Sequence, residues 1–145
     1  TRRRSFGPPI MVLRLSDRYR TRFRFTQADV DRFAEVTGDR NPIHSDPEAA
    51  AAGVFKRPIM HGFLSASIFS RLLGMDFPGA GTIYLSQELR FKKPMFVDTD
   101  YEAELTVLEV HPDRHIAVID TRIVDVASGD ETLLGVARIM NPSIA

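Results

Sequence analysis

From residue 82 onward, apolar and polar positions alternate with a period of two, the mark of strands with one buried face. Thr99 to Val110 sets Tyr101, Ala103, Leu105 and Val107 against Glu102, Glu104 and Thr106. Thr82–Phe91, Ile116–Val126 and Leu133–Met140 read as three further strands. Lys92-Lys93-Pro94, His111-Pro112-Asp113 and Ser128-Gly129-Asp130 separate them. Before residue 80 the pattern differs. Tyr19–Phe25 alternates aromatic or Thr with Arg and predicts one more strand, after which Thr26 predicts a helix N-cap with Asp29 three residues on. Val30, Phe33 and Ala34 give that helix its apolar stripe, and Gly38 stops it. Asn41-Pro42 and Asp46-Pro47-Glu48 each open a short element, the second sustained by Ala49 to Ala52 and ended by Gly53. Phe63 to Leu73 is apolar around most of a helical circumference, which predicts a fully buried central helix with Gly74 as terminator. Strands grouped after helices and joined by hairpin turns predict an α+β fold whose antiparallel sheet curves around that helix.

Composition narrows the classes. The 145 residues suit one domain spanning 1–145, with 1–15 as a partly ordered tail. A chain of this length buries about 70% of its surface, enough for a core without disulfide or metal staples. The 19 Lys+Arg balance 19 Asp+Glu, so no net field favours nucleic acid or an anionic membrane. The absence of cysteine removes disulfide scaffolds, thiol nucleophiles and Cys-based zinc sites. Pro58 to Ser70, the longest uncharged run, falls short of the ~18–20 residues a membrane span needs. The apolar stretch Ile10 to Leu13 is too short for a secretory signal, so a soluble cytoplasmic domain is the expectation. Arg2, Arg3 and Arg4 read as a solvated tail or, less simply, as a polyanion-binding arm.

The candidate chemistry lies between residues 39 and 62. Asp39 and His44 would stand about 140° apart on a continuous helix. Gly38 and Asn41-Pro42 break the chain there, so it can fold back and bring a carboxylate and an imidazole to one pocket as a general acid–base pair. Local roles compete: Asp39 as a turn residue bonding nearby amides, His44 as a tie for the loop. His44, Asp46 and His61 could ligate a metal, but no helical histidine pair at i, i+4 supports it, and none is expected. Gly62 precedes the buried helix, whose first N–H groups lack partners; it reads either as an oxyanion donor or as a residue that lets the chain turn. His111 and His115 flank a turn and are expected to be solvated.

Thr37-Gly38-Asp39-Arg40-Asn41-Pro42-Ile43-His44, followed by Arg57-Pro58-Ile59-Met60-His61-Gly62-Phe63, resembles the MaoC-like hot-dog hydratases, above all the (R)-specific enoyl-CoA hydratases. Gly81-Thr82-Ile83-Tyr84-Leu85-Ser86-Gln87 and Arg90-Phe91-Lys92-Lys93-Pro94-Met95-Phe96 extend the similarity over about residues 19–140. The resemblance implies a hot-dog fold and hydration of trans-2-enoyl-CoA to the (R)-3-hydroxyacyl thioester, by water held between Asp39 and His44 with Gly62 N–H on the thioester oxygen. Asn41 is then a loop-fixing residue and Ser70 a residue within reach of His44 or the water. No cofactor is implied, since CoA belongs to the substrate. Arg90, Lys92 and Lys93 are candidates for its phosphates, or else a solvated strand end. The resemblance also implies a homodimer. Rival readings are a dehydratase of acyl-carrier-protein substrates, a hot-dog thioesterase and a non-catalytic acyl-thioester-binding subunit.

Overall fold

Five strands form one antiparallel sheet: β1 (Arg18–Phe23), β2 (Ile83–Phe91), β3 (Tyr101–His111), β4 (Ile116–Asp125) and β5 (Glu131–Met140), in the spatial order β1-β3-β4-β5-β2. The computed structural model describes residues 12–145. Period-two alternation sorts each long strand: Tyr101, Ala103, Leu105 and Val107 of β3 are buried, as are Ile119 and Ile123 of β4 and Ala137 and Ile139 of β5. On the opposite face Arg20 and Arg22 of β1 pair with Glu104 and Glu102 at 3.7 Å each, an exposed ladder that keeps this face in water.

Against the apolar face packs the helix α3 (Gly62–Met75), preceded in the chain by α1 (Gln27–Thr37) and α2 (Pro47–Ala52). Leu64, Ile68, Phe69, Leu72 and Leu73 of α3 join the inward strand residues in one core, which makes this the hot-dog arrangement. Two expectations need correction. Gly74 does not end the helix; burial of Leu72, Leu73 and Phe77 carries it past the glycine to Met75, with Asp76 as C-cap. Nor is α3 buried all round within the protomer, because Phe63, Ser67, Ser70, Arg71 and Met75 form an exposed stripe at helical spacing.

Local punctuation behaves as its chemistry dictates. The Thr26 side chain accepts from the Asp29 N–H while the Asp29 carboxylate takes the Thr26 N–H, a reciprocal capping box. Gly38 closes α1 at φ 78°, a left-handed position glycine adopts without steric cost. Leu13 is 4% exposed and belongs to the core, so the ordered domain begins before residue 16. The arginines at 2–4 lie outside the described residues.

Candidate active site

The loop between α1 and α2 doubles back through a single 3-10 turn, Pro42–His44. Asn41 sets that bend, its side-chain oxygen accepting the Ile43 N–H and its carbonyl the His44 N–H. The Asp39 carboxylate takes only a long bond from the Asn41 N–H, at 3.4 Å. As a result, a carboxylate oxygen of Asp39 and a ring nitrogen of His44 and of His61 all lie within 4.8 Å of one another. The fold-back expected from Gly38 and Asn41-Pro42 is present, and both readings of Asp39, local bonding and participation in a cluster, hold at once.

His44 is held in one orientation. Its Nδ1 stands 2.7 Å from the Ile59 carbonyl, which can only accept, so Nδ1 carries the proton and Nε2 is left with its lone pair. His61 points its Nε2 at the Asp39 carbonyl, 2.9 Å away, and its ring lies against that of His44 with centroids 3.8 Å apart and planes 30° apart. The two tilted rings, each with one nitrogen committed to a carbonyl, stand beside the Asp39 carboxylate as a cluster of one acid and two imidazoles. Asp46 is not in this cluster; it caps α2 by accepting the Glu48 N–H at 3.0 Å.

His44 opens into a cavity of about 250 Å³ that also reaches Gly62, Ser65, Phe91, Met95 and Leu133, with Lys92 and Lys93 among its lining residues. Gly62 stands at the head of α3, where no side chain caps the helix and, among the described residues, no acceptor takes its N–H. That N–H sits at the positive end of a 14-residue helix, a place suited to developing negative charge. The wall is mostly apolar, as an acyl chain requires.

The remaining candidates divide. Lys92 and Lys93 reach the cavity, each tied to an acid: Lys93 Nζ lies 2.7 Å from Asp130 and Lys92 Nζ 3.8 Å from Glu131. The hydrogen bond from Lys93 holds the Asp130 carboxyl below its ordinary range. Arg90 is exposed outside the cavity wall. Ser70 is exposed on the outward stripe of α3 within the protomer, and Ser65, 2% exposed, is the serine that lines the cavity with His44. Ser65 follows Gly62 by three residues and so shares its helix face, a spacing that could have singled it out. His111 and His115 stay out of the cavity. His111 pairs with Glu109 at 2.9 Å, and His115 is exposed, as expected, while its Nδ1 donates to the Ile144 carbonyl at 2.6 Å.

Residues 13–128 match the family model described as the MaoC like domain. The chain belongs to this family. The MaoC-like domain is 47% identical over 111 residues to an (R)-specific enoyl-CoA hydratase of Aeromonas caviae, covering 77% of this chain and 83% of that protein. It is 40% identical over 110 residues to a 3-hydroxybutyryl-CoA dehydratase of Methylorubrum extorquens, covering 75% of this chain and 68% of that protein. Among solved structures, the A. caviae (R)-hydratase involved in PHA biosynthesis superposes with a TM-score of 0.85 at 43% identity, over 90% of this chain and 98% of that one. No helix among the described residues is long and apolar enough to cross a membrane.

Proposed function

We propose that the protein is an (R)-specific enoyl-CoA hydratase, adding water reversibly across the C2=C3 bond of a trans-2-enoyl-CoA. The observation that carries this is the placement of the Asp39 carboxylate and a His44 nitrogen within 4.8 Å, around a cleft that His44 shares with the free Gly62 N–H. Two hydrogen bonds of about 2.8 Å each to one oxygen span such a gap. A substrate water held there loses a proton to the pair as its oxygen bonds to C3. The C2=C3 electrons move to give an enolate, whose negative thioester oxygen the Gly62 N–H stabilises. The proton then passes to C2, completing syn addition, with Asp39 and His44 returned to their starting state. General-base assistance contributes roughly 10²–10⁴ in rate, and an oxyanion donor on the order of 10²–10³.

Lys92 and Lys93 at the cavity suit the anionic carrier arm, and the identity to an enoyl-CoA hydratase and a 3-hydroxybutyryl-CoA dehydratase favours CoA over acyl carrier protein. A homodimer is part of the same reading. β2 is an edge strand that exposes Ile83 and Leu85, and beside it runs a groove lined by Phe63, Ala66, Ser67, Tyr84 and Leu85. An apolar strand edge next to an apolar helix stripe calls for a partner, and a second copy offers the same edge in return.

The deciding experiment supplies crotonyl-CoA and follows loss of conjugation, thiol release and product configuration together. Loss of conjugation giving the (R) alcohol without thiol supports the hydratase; thiol release identifies a thioesterase, and binding without turnover a non-catalytic subunit. Asp39→Asn and His44→Ala should each lower kcat by about 10²–10⁴ while circular dichroism stays that of the parent. Full activity in either variant removes that residue from the mechanism.

A further inference from the structure

His61 takes no part in the reaction as derived above, yet it is buried in the core of the site, at 2% exposure. Its contacts run in every direction that matters to the site. Through its side chain, Nε2 donates to the Asp39 carbonyl at 2.9 Å. Its ring lies against His44, with centroids 3.8 Å apart, and against Phe33 of α1, at 4.8 Å. Through its backbone it is the N-cap of α3, its carbonyl accepting the Leu64 and Ser65 N–H groups at 3.1 Å each. The next residue is Gly62.

The short segment from Ile59 to His61 therefore grips the bent loop at three points. Ile59 N–H donates to the Ile43 carbonyl at 3.1 Å, the Ile59 carbonyl takes the His44 Nδ1 proton, and His61 Nε2 closes on Asp39. His61 Nδ1 is left buried with no partner. Burying an unpaired ring nitrogen is unfavourable, and a phenyl ring would fill the same space without one. What only the imidazole supplies here is the N–H that reaches the Asp39 carbonyl.

We propose that His61 is a positioning residue, locking the Asp39–His44 loop to the head of α3 so that the acid–base pair and the Gly62 N–H keep a fixed separation. The inference rests on the reading of Asp39, His44 and Gly62 given above. His61 touches no reacting atom; it acts through the Asp39 backbone and the plane of the His44 ring.

The test compares three variants on crotonyl-CoA. His61→Phe keeps a ring against His44 and removes the donor. It should lower kcat about a hundredfold, the scale of a misplacement near 1 Å, while KM changes less than about threefold. His61→Gln places an amide N–H where Nε2 was, and should return kcat to within about tenfold of the parent. Parental kcat in His61→Phe, or a His61→Gln enzyme no better than His61→Phe, overturns the proposal. Should His61→Phe fail to fold, the His61→Gln rates still decide, together with the long-range ¹H–¹⁵N spectrum of the parent. That spectrum should show the His61 proton on Nε2, and a proton on Nδ1 instead overturns the proposal. Asp39→Asn separates the two levels: activity retained there defeats the reading of the site, whereas activity lost there and kept in His61→Phe defeats only the role of His61.

Discussion

The ring of Phe91 lies against the Cα of Gly62: a Cβ built on that glycine would stand 2.7 Å from Phe91 Cε1 and 3.1 Å from Cδ1 and Cζ. Glycine at 62 thus lets the Phe91 ring of β2 approach the head of α3 closely. Phe91 is half-exposed and its ring can swing, so Gly62→Ala should fold, with the displaced ring intruding on the cavity that both residues line. We expect kcat/KM to fall by about tenfold to a hundredfold. Gly62→Ala combined with Phe91→Leu should recover much of the loss. Steady-state kinetics on crotonyl-CoA, with urea melts of each variant, check both statements.

Gly135 of β5 is a stricter case, because there the obstacle is backbone. A Cβ at 135 would lie 1.8 Å from the Glu88 carbonyl oxygen on the neighbouring β2. No rotamer change relieves that contact, so Gly135→Ala must push the two strands apart. A loss of about 1–3 kcal/mol or more is expected, read from the denaturant midpoint. Since β2 ends at Phe91, activity should fall as well.

The exposed edge of β2 gives a prediction about assembly. Leu85 is 44% exposed beside the groove between α3 and β2. Leu85→Lys places a charge where a second copy would bury apolar surface, and it should shift the species in solution from dimer to monomer. Light scattering coupled to size-exclusion chromatography measures this directly; an unchanged mass for both proteins would count against that interface.

Alkaline stability should be governed by the tyrosines. Burial pushes Tyr84 up to about 12, and burial also raises Tyr19 and Tyr101 above their ordinary value near 10. The folded state therefore binds these protons more tightly than the unfolded chain. The resulting stability is complete below pH 10 and is lost as pH rises from 10 through about 12. Denaturation midpoints at pH 9, 10 and 11 should fall in that order, and Tyr84→Phe should flatten the decline although it loses the hydrogen bond to Gln87.

Short-range rules carried the sequence reading a long way. The Thr26–Asp29 capping box, the left-handed stop at Gly38, the bend at Asn41-Pro42 and the inward set Tyr101, Ala103, Leu105 and Val107 depend on contacts within a few residues, or on a period of two. These the amino-acid order determines by itself. It also placed Asp39, His44 and Gly62 in one segment, because the breaks that let them meet are written between them.

Tertiary packing decided the rest. Which side of α3 faces the sheet follows from where Leu64, Ile68 and Leu72 find apolar partners, and it put Ser65 into the wall of the cavity that His44 also lines. His61 reaches Asp39 across 22 residues only because α3 docks where it does. A position's local preference is fixed by its immediate neighbours, but who shares a cleft depends on chain segments brought together by burial, and no spacing along the sequence encodes that distance.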